Sequence, residues 1–538
     1  MEVFLIFLVI IIGIFVIAGY AENKRYQNKK REGERKRKEA IEEARTLSGA
    51  FGDARFASEA DCKDFGLLDD KGMTLGGSGL HYSGDQHLIT ISAPRTGKFT
   101  CAIAPALLTY PASCIVVDPK GQAAAVTARA RREMGQKVFF LNPFNLHGLP
   151  DSGFNPLRLL DPKGDTFAAD AAALSEALII YSGGDTHWTD GARSLVECLI
   201  MWVCLTEENP SLPQVRDFLC LPPADFQAIM KKISAHAFFP MAQNAARFAG
   251  EDFRDNPGII SKAMIQTALL GEPLAARSLS SHSFDWQELK TGKATVYLIL
   301  PAQYIQSHAR WLRLLLVSAI YRLSTAEKGE RSVLFVLDEF TQLGKLNAIS
   351  SAFNLSAGYG IQLWLIFQSL PALEAVYGQD NESFLAGAGV TQIFRVNDAK
   401  TADYFSKRAG KYTKKVSSWS QQEISRKQAA RGFTGVNPSI GEVAVDLLSP
   451  QNLYGFSASK GLLFVNGLEH PVNYDRVEYF RAAEYAGKFD PDPFHAPKQA
   501  TPSAVAAPDL GAAELSAAEL TPEEVAALMK KQGVGFIE

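Results

Sequence analysis

The stretch ITISAPRTGKFTCAIAP, residues 89–105, decides the fold. A short β-branched run leads into a Gly-Lys turn, and a segment rich in Ala and Leu follows. A strand that turns through Gly-Lys into a helix makes a cradle for phosphate. Backbone N–H groups converge on the anion at the helix N-terminus, and the lysine adds a point charge. Gly97 and Lys98 keep the centre of the usual spacing G-x-x-x-x-G-K-S/T, with Pro94 and Thr96 compatible with a turn. The spacing is broken twice: Ser92 stands where the first glycine belongs, and Phe99 where a hydroxyl would bind Mg²⁺. Thr100 lies about 100° further round a helix, which makes it a poor substitute. Arg95, inside the loop, can supply charge in cis.

Working outward, strand and helix signals alternate. A hairpin pattern over 72–92 leads into the loop, and residues 100–109 read as a helix. Then come a buried strand at 114–117 ending at Asp118, a helix over 122–134 and a strand in KVFFLNPF. That alternation is the pattern of a parallel sheet with crossover helices. Residues 165–280 change to helical periodicity with few β runs, and sheet-like runs return at 294–300, 332–340, 361–368 and 390–396. The expectation is one α/β domain interrupted by an all-helical insertion.

Two later strands carry polar ends. SVLFVLDEF finishes in Asp338 and Glu339, placed for a Mg²⁺ shell and for polarising a water. Gln368 closes LWLIF and can orient water beside a γ-phosphate.

Composition limits the alternatives. The 538 residues allow more than one domain, and a net charge of −3 gives no support to a wholly basic nucleic-acid binder. Six cysteines without a C-x-x-C pair suit a reduced compartment and argue against structural zinc. Residues 3–21, VFLIFLVIIIGIFVIAGYA, carry no charge and match the roughly 20 residues of a membrane-crossing helix. Nine Lys/Arg against two Glu fill residues 24–38, so the positive-inside rule puts the N-terminus outside and the bulk in the cytoplasm. A cleaved signal peptide would need a basic stretch ahead of the apolar run, and only Glu2 is charged there.

Between 400 and 431 nine Lys/Arg face two acids, which reads as a basic loop able to track phosphates or as a solvated one. Lys407, Arg408, Lys411, Lys414 and Lys415 are its candidate DNA contacts. Residues 491–520 have a flexible Ala/Pro/Ser composition, and LTPEEVAALMKKQG reads as a short capped helix, a docking peptide or a frayed tail.

Several stretches together resemble the conjugative coupling proteins of type IV secretion systems, the VirD4/TraG family. They include GDQHLITISAPRTGK (84–98), APALLTYPASCIVVDPKGQ (104–122), VLFVLDEFTQLGKL (333–346), GYGIQLWLIFQSLPALEAVYG (358–378) and FRVNDAKTADYFSKRAG (394–410). The resemblance covers residues 70–480 or so. It implies a RecA-like P-loop NTPase domain of α/β class with an inserted all-α domain, preceded by one transmembrane helix. On this reading residues 1–23 are the anchor, 24–70 a basic stalk, 71–164 and 281–490 the two parts of the motor, 165–280 the insertion and 491–538 the tail.

The resemblance also implies a homo-hexamer at the bacterial inner membrane that uses ATP and Mg²⁺ to pass relaxase-bound single-stranded DNA, or proteins, to a secretion channel. Residue by residue, Pro94, Arg95, Thr96, Gly97, Lys98, Phe99 and Thr100 match the phosphate loop. Asp338 would hold Mg²⁺ through water, and Glu339 and Gln368 would be catalytic. Departures are Phe99, Ala357 where a trans arginine is expected, with Arg395 and Arg408 as replacements, and one membrane helix where two are usual. The alternative is a non-hydrolysing docking receptor that recruits DNA or protein to the channel.

Overall fold

The computed structural model describes residues 8–21, 24, 28, 49–76, 79–181, 186–250, 256–291, 293–421 and 436–494. The expected C-terminal helix, residues 25–27 and 29–48 of the basic stalk, and Arg426, Lys427 and Arg431 lie outside the described residues. Residues 8–21 are helical with largely exposed side chains. Among the described residues no helix is long and apolar enough to cross a membrane, and residues 3–7 of the expected span fall outside them.

The chain forms two compact units. The larger joins Phe56–Val396 to Phe456–Glu538 and is built on a nine-stranded sheet. Two short strands, β1 (Met73–Leu75) and β2 (Leu80–Tyr82), pair antiparallel ahead of it. The sheet strands are β3 (His87–Ile91), β4 (Cys114–Asp118), β5 (Lys137–Leu141), β6 (Ala294–Ile299), β7 (Val333–Leu337), β8 (Ile361–Phe367) and β9 (Ala388–Ile393). These seven are mutually parallel. Beyond β9 lie β12 (Lys460–Val465) and β13 (Val472–Asp475), each antiparallel to its neighbour. Their order is β13-β12-β9-β3-β8-β7-β4-β6-β5.

Strands β3, β4, β6, β7 and β8 are buried at every residue. A parallel sheet covered on both faces demands such continuous apolar runs. The order places β8 between β3 and β7, so residues 92–98, 368 and 338–339 leave three adjacent strands at one edge.

The crossover helix Gln122–Glu133 starts from Gly121 at φ 64°, where a Cβ would stand 2.8 Å from the His147 ring. Its Arg131 is fully buried and is held by carbonyls and amides. It donates to the oxygens of Leu107 (3.1 Å), Tyr110, Ala112 (2.5 Å) and Gln136 (2.8 Å), and to Thr295 Oγ1 (2.9 Å). This one side chain ties the turn before β4 to β6.

Between β5 and β6 the chain leaves the sheet. Helices Phe167–Leu178, Thr186–Thr206, Leu212–Leu219, Pro223–Ser234, Phe239–Ala249, Asn256–Gln266 and Pro273–Ser280 follow, with no strand among the described residues. Leu195, Leu199, Met230 and Phe248 are fully buried there. Trp188 packs against Gly258, where a Cβ would lie 2.5 Å from its ring, so it is a packing residue.

The smaller unit joins Met1–Arg55 to Asn397–Gly455. The segment read as a basic loop is a helix, Ala399–Ala409, followed by β10 (Lys411–Gln421), which pairs antiparallel with β11 (Val436–Asp446). Asp398 caps the helix, accepting from the Thr401 N–H at 2.8 Å. Lysines at 411, 414 and 415 mask the β alternation in the sequence, and the partner strand begins far downstream.

Replacing Arg131 by Met leaves several carbonyls buried without a donor, at about 1–3 kcal/mol each. The expected outcome is a fall of the apparent Tm by at least about 5 °C, read by a thermal unfolding scan. An unchanged Tm would show that the carbonyls find other donors.

Candidate functional site

The loop after β3 is stitched into the sheet at its start. Ser92 N–H donates to Phe367 O (3.1 Å) and Ala93 N–H to Arg395 O (3.0 Å). Ser92 does not sit at a positive φ, so a glycine's freedom is not needed there. Its hydroxyl bonds Thr96 Oγ1 across the loop, and Thr96 Oγ1 donates to Ala93 O at 2.7 Å. The left-handed turns fall on Arg95 (φ 62°) and Gly97 (φ 85°). Arg95 and Pro94 are exposed.

Lys98 points back along the sheet edge. Its Nζ lies 2.8 Å from Asp338 Oδ1 and 2.5 Å from Glu339 Oε1, across 241 residues of sequence. Gln368 Nε2 donates to Glu339 Oε2 at 3.1 Å. Lysine, two acids and glutamine therefore form one connected cluster, each member just past the end of a parallel strand. Glu339 adopts a left-handed backbone (φ 54°), a conformation that a non-glycine residue holds only when its surroundings over-determine it. Burial opposes the charge on Lys98, but the two carboxylates outweigh it and raise its pKa above the ordinary lysine value.

Phe99 turns its ring toward Tyr479 (centroids 6.0 Å apart, edge-on) and into the apolar cluster of Ala104, Leu108 and Tyr485. The chain from Phe99 to Ile103 is a π-helical turn, continued by the α-helix Ala104–Thr109. Thr100 Oγ1 donates to Gly97 O at 3.3 Å. The loop borders a cavity of about 1000 Å³. Its other walls are the β4 end with Lys120, and the segment after β13 with Arg476, Phe480 and Phe494. Sequence reading missed this last wall, although the Asn-Gly pair at 466–467 between two apolar runs signals the β12–β13 hairpin.

Asp118, at the end of β4, is buried. It accepts from the N–H groups of Gln122 (3.1 Å) and Ala124 (2.9 Å), capping the crossover helix. Burial pushes its pKa up to about 6, against the pull of those N–H groups.

The residues present fit a magnesium–nucleotide pair in part. Mg²⁺ bound to phosphates needs one or two protein carboxylates and keeps several waters. Asp338 and Glu339 supply the carboxylates, whereas Phe99 offers no oxygen.

Of the candidate DNA contacts, Lys407 and Arg408 lie in the last turn of the helix Ala399–Ala409. Lys411, Lys414 and Lys415 lie on β10, with Lys414 on the opposite face from the other two. Lys411 Nζ is 3.4 Å from Asp446 Oδ1, and Lys415 stands across from Glu442 in the register. Arg395 is exposed beside the phosphate loop.

A sheet of seven parallel strands with a phosphate-type loop after one strand and an acid pair after a near neighbour is a RecA-like P-loop α/β fold. Comparison with known proteins takes this further. The family described as Type IV secretory system Conjugative DNA transfer matches residues 29–509, and the chain belongs to it. It is 29% identical to the protein VirD4 of Agrobacterium fabrum over 459 residues, covering 80% of this chain and 66% of that one. It is 28% identical to the conjugal transfer protein TraG of Rhizobium radiobacter over 416 residues, covering 74% and 62%. The chain thus spans just under two thirds of the length of these relatives. The structure of the plasmid coupling protein TrwB in complex with ADP and Mg²⁺ is similar at a TM-score of 0.60 and 14% identity, covering 80% of this chain and 97% of that one. That likeness establishes the fold.

The raised pKa of Asp118 gives stability that is present below about pH 4 and lost as pH rises through about 6. Two units amount to about 3 kcal/mol. Asp118→Asn is therefore expected to gain relative to wild type by up to that amount between pH 4 and 7 in urea titrations. Parallel pH curves for the two proteins would refute the assignment.

Proposed function

We propose that the chain is a coupling ATPase of a type IV secretion system. In this reading it is anchored in the inner membrane by residues 3–21 with its bulk in the cytoplasm, and assembled as a homo-hexamer. It delivers relaxase-bound single-stranded DNA to the transfer channel. The observation that carries the reading is the meeting of Lys98 with Asp338 and Glu339 at the cavity edge. Membership of the conjugative DNA transfer family and the ADP–Mg²⁺ complex of TrwB support it.

The chemistry follows from the cluster. Without ligand, the Lys98 ammonium is neutralised by two acids. An incoming triphosphate offers a stronger anion, so Lys98 exchanges carboxylates for phosphate oxygens. That exchange leaves the Glu339 carboxylate able to accept a proton from an attacking water. Gln368, bonded to Glu339, holds that water in line and senses the γ-phosphate. Bound Mg²⁺ would neutralise the phosphate charge, with Asp338 holding it through water.

The test is steady-state ATP hydrolysis by the full-length protein in detergent, with and without single-stranded DNA. Lys98→Ala and Glu339→Gln are each expected to cut kcat by about 10²-fold or more. Phe99 at the hydroxyl position favours a second reading, a docking receptor that binds nucleotide without hydrolysing it. Equal background rates in all three proteins would select that reading.

For the DNA step, exchanging Lys407 and Lys414 for Glu is expected to lower single-strand affinity. The slope of log affinity against log salt should flatten by roughly 0.7 for each phosphate that is no longer neutralised. An unaltered slope would remove this face from the DNA path.

A further inference from the structure

Arg476 is the first residue past β13. Two antiparallel steps, β9 to β12 and β12 to β13, bring β13 back into the direction of β3, so its exit lies at the edge where the phosphate loop stands. The side chain is 8% exposed. Its guanidinium stacks 4.0 Å from the ring centroid of Phe394, the first residue past β9. Nη1 donates to Thr96 O at 2.5 Å and Nη2 donates to Ala458 O. The Nε–H is buried and has no partner among the described residues. Gly97 turns against it: a Cβ there would be 3.6 Å from Nη1.

The charge balance is what singles this residue out. Lys98 has two carboxylates, and Arg131, the other deeply buried arginine near the loop helix, has its donors satisfied by carbonyls and amides. Arg476 forms no ion pair among the described residues. The acids nearest in sequence pair elsewhere: Asp475 with Lys460 at 2.8 Å and Glu478 with Arg481 at 2.9 Å. A buried cation with no carboxylate within ion-pair distance among the described residues, carrying an unused N–H, costs free energy in the folded state. It also borders the cavity that begins at the phosphate loop. An anion entering that cavity would relieve the deficit.

We propose that Arg476 is a second cation for the polyphosphate of the bound nucleotide, supplied in cis from the last strand of the sheet. It holds the loop through Thr96 O and shares the phosphate charge with Lys98. The proposal rests on the nucleotide reading above. It also gives the loop a fixed guanidinium where Phe99 has replaced a polar ligand.

The test uses the full-length protein with two probes, Mg·ATP and magnesium tripolyphosphate, so that a nucleoside contribution separates from a phosphate one. Arg476→Met keeps the stem on Phe394 and removes the charge; Arg476→Lys keeps the charge and removes the fork. Arg476→Met is expected to weaken both probes about 10–100-fold, the scale of a charge-assisted hydrogen bond, with Arg476→Lys in between. KM for ATP should rise in step, while kcat at saturation stays within about threefold, because removing a ground-state interaction does not slow the chemical step. A collapsed loop would lower kcat as well, and that result overturns the proposal. Unchanged affinity for tripolyphosphate in Arg476→Met, with Lys98→Ala impaired, also overturns it and leaves the nucleotide reading standing. If wild type and Lys98→Ala bind neither probe, the nucleotide reading itself falls. Should Arg476→Met fail to fold, Arg476→Gln removes the charge while keeping a polar side chain, and wild-type affinity for tripolyphosphate in that variant would refute the proposal.

Discussion

The structure of the site depends on one ion cluster, an ammonium held between two carboxylates at the carboxyl edge of a parallel sheet. Taking three such charges out of water costs several kcal/mol per ion, and a buried pair is weak evidence for stability. Lys98, Asp338 and Glu339 are all largely shielded, with side chains 17–23% exposed. Their value is geometric. Removing Lys98 leaves two adjacent carboxylates charged and unpaired, so the cluster fixes where the loop ends and how the chain leaves β7. Glu339 is forced into a left-handed backbone as part of that arrangement. Such strain is stored where a side chain must be aimed, and Glu339 is aimed at Lys98 and Gln368 together.

The strand order of the sheet is what lets that cluster form. Residues just past the ends of β3, β8 and β7 can meet because those strands are neighbours, at about 4.8 Å spacing. The intervening β8 is not a spacer: it delivers Gln368 between lysine and acids. The helices between β5 and β6 leave and rejoin the sheet on the far side of β4, away from β8. The sheet edge that carries the cluster and the helical segment are thus separate in the topology. They are nevertheless joined by buried arginines of the helix Ile305–Thr325. Arg313 donates to Ala177 O in the insertion and to Lys345 O just past the acid pair.

Strands β4, β6, β7 and β8 were legible because a strand covered on both faces must be apolar throughout, and for β4, β7 and β8 a polar residue closing the run marks the edge. Asp338, Glu339 and Gln368 were legible for the same reason, and Lys98 through the Gly-Lys spacing of the loop. Other features were not. The β12–β13 pair is short, and Arg476 follows it without any local pattern to mark it. The strand β10 was hidden by its lysines, since charge on one face dilutes the alternation that identifies a strand. Left-handed turns at Arg95 and Glu339 could not be read, because neither residue type announces a positive φ.

The broken spacing of the phosphate loop has a physical answer in these dihedral angles. A glycine is required where φ is positive or where backbone and ligand approach closely, and Gly97 meets the first condition. Ser92 does not meet the first: it lies in ordinary backbone, and its hydroxyl bridges to Thr96 where glycine would leave a gap. Phe99 is a different kind of departure. Its ring is spent on packing against Tyr479, whose N–H donates to Thr100 O at 2.9 Å. The loop helix is thereby fastened to the segment that carries Arg476. A hydroxyl has been exchanged for a mechanical link between the loop and the last strand of the sheet. The loop's geometry is kept by contacts from outside its own motif, so a motif search scores as worn a turn that the surrounding fold holds in place.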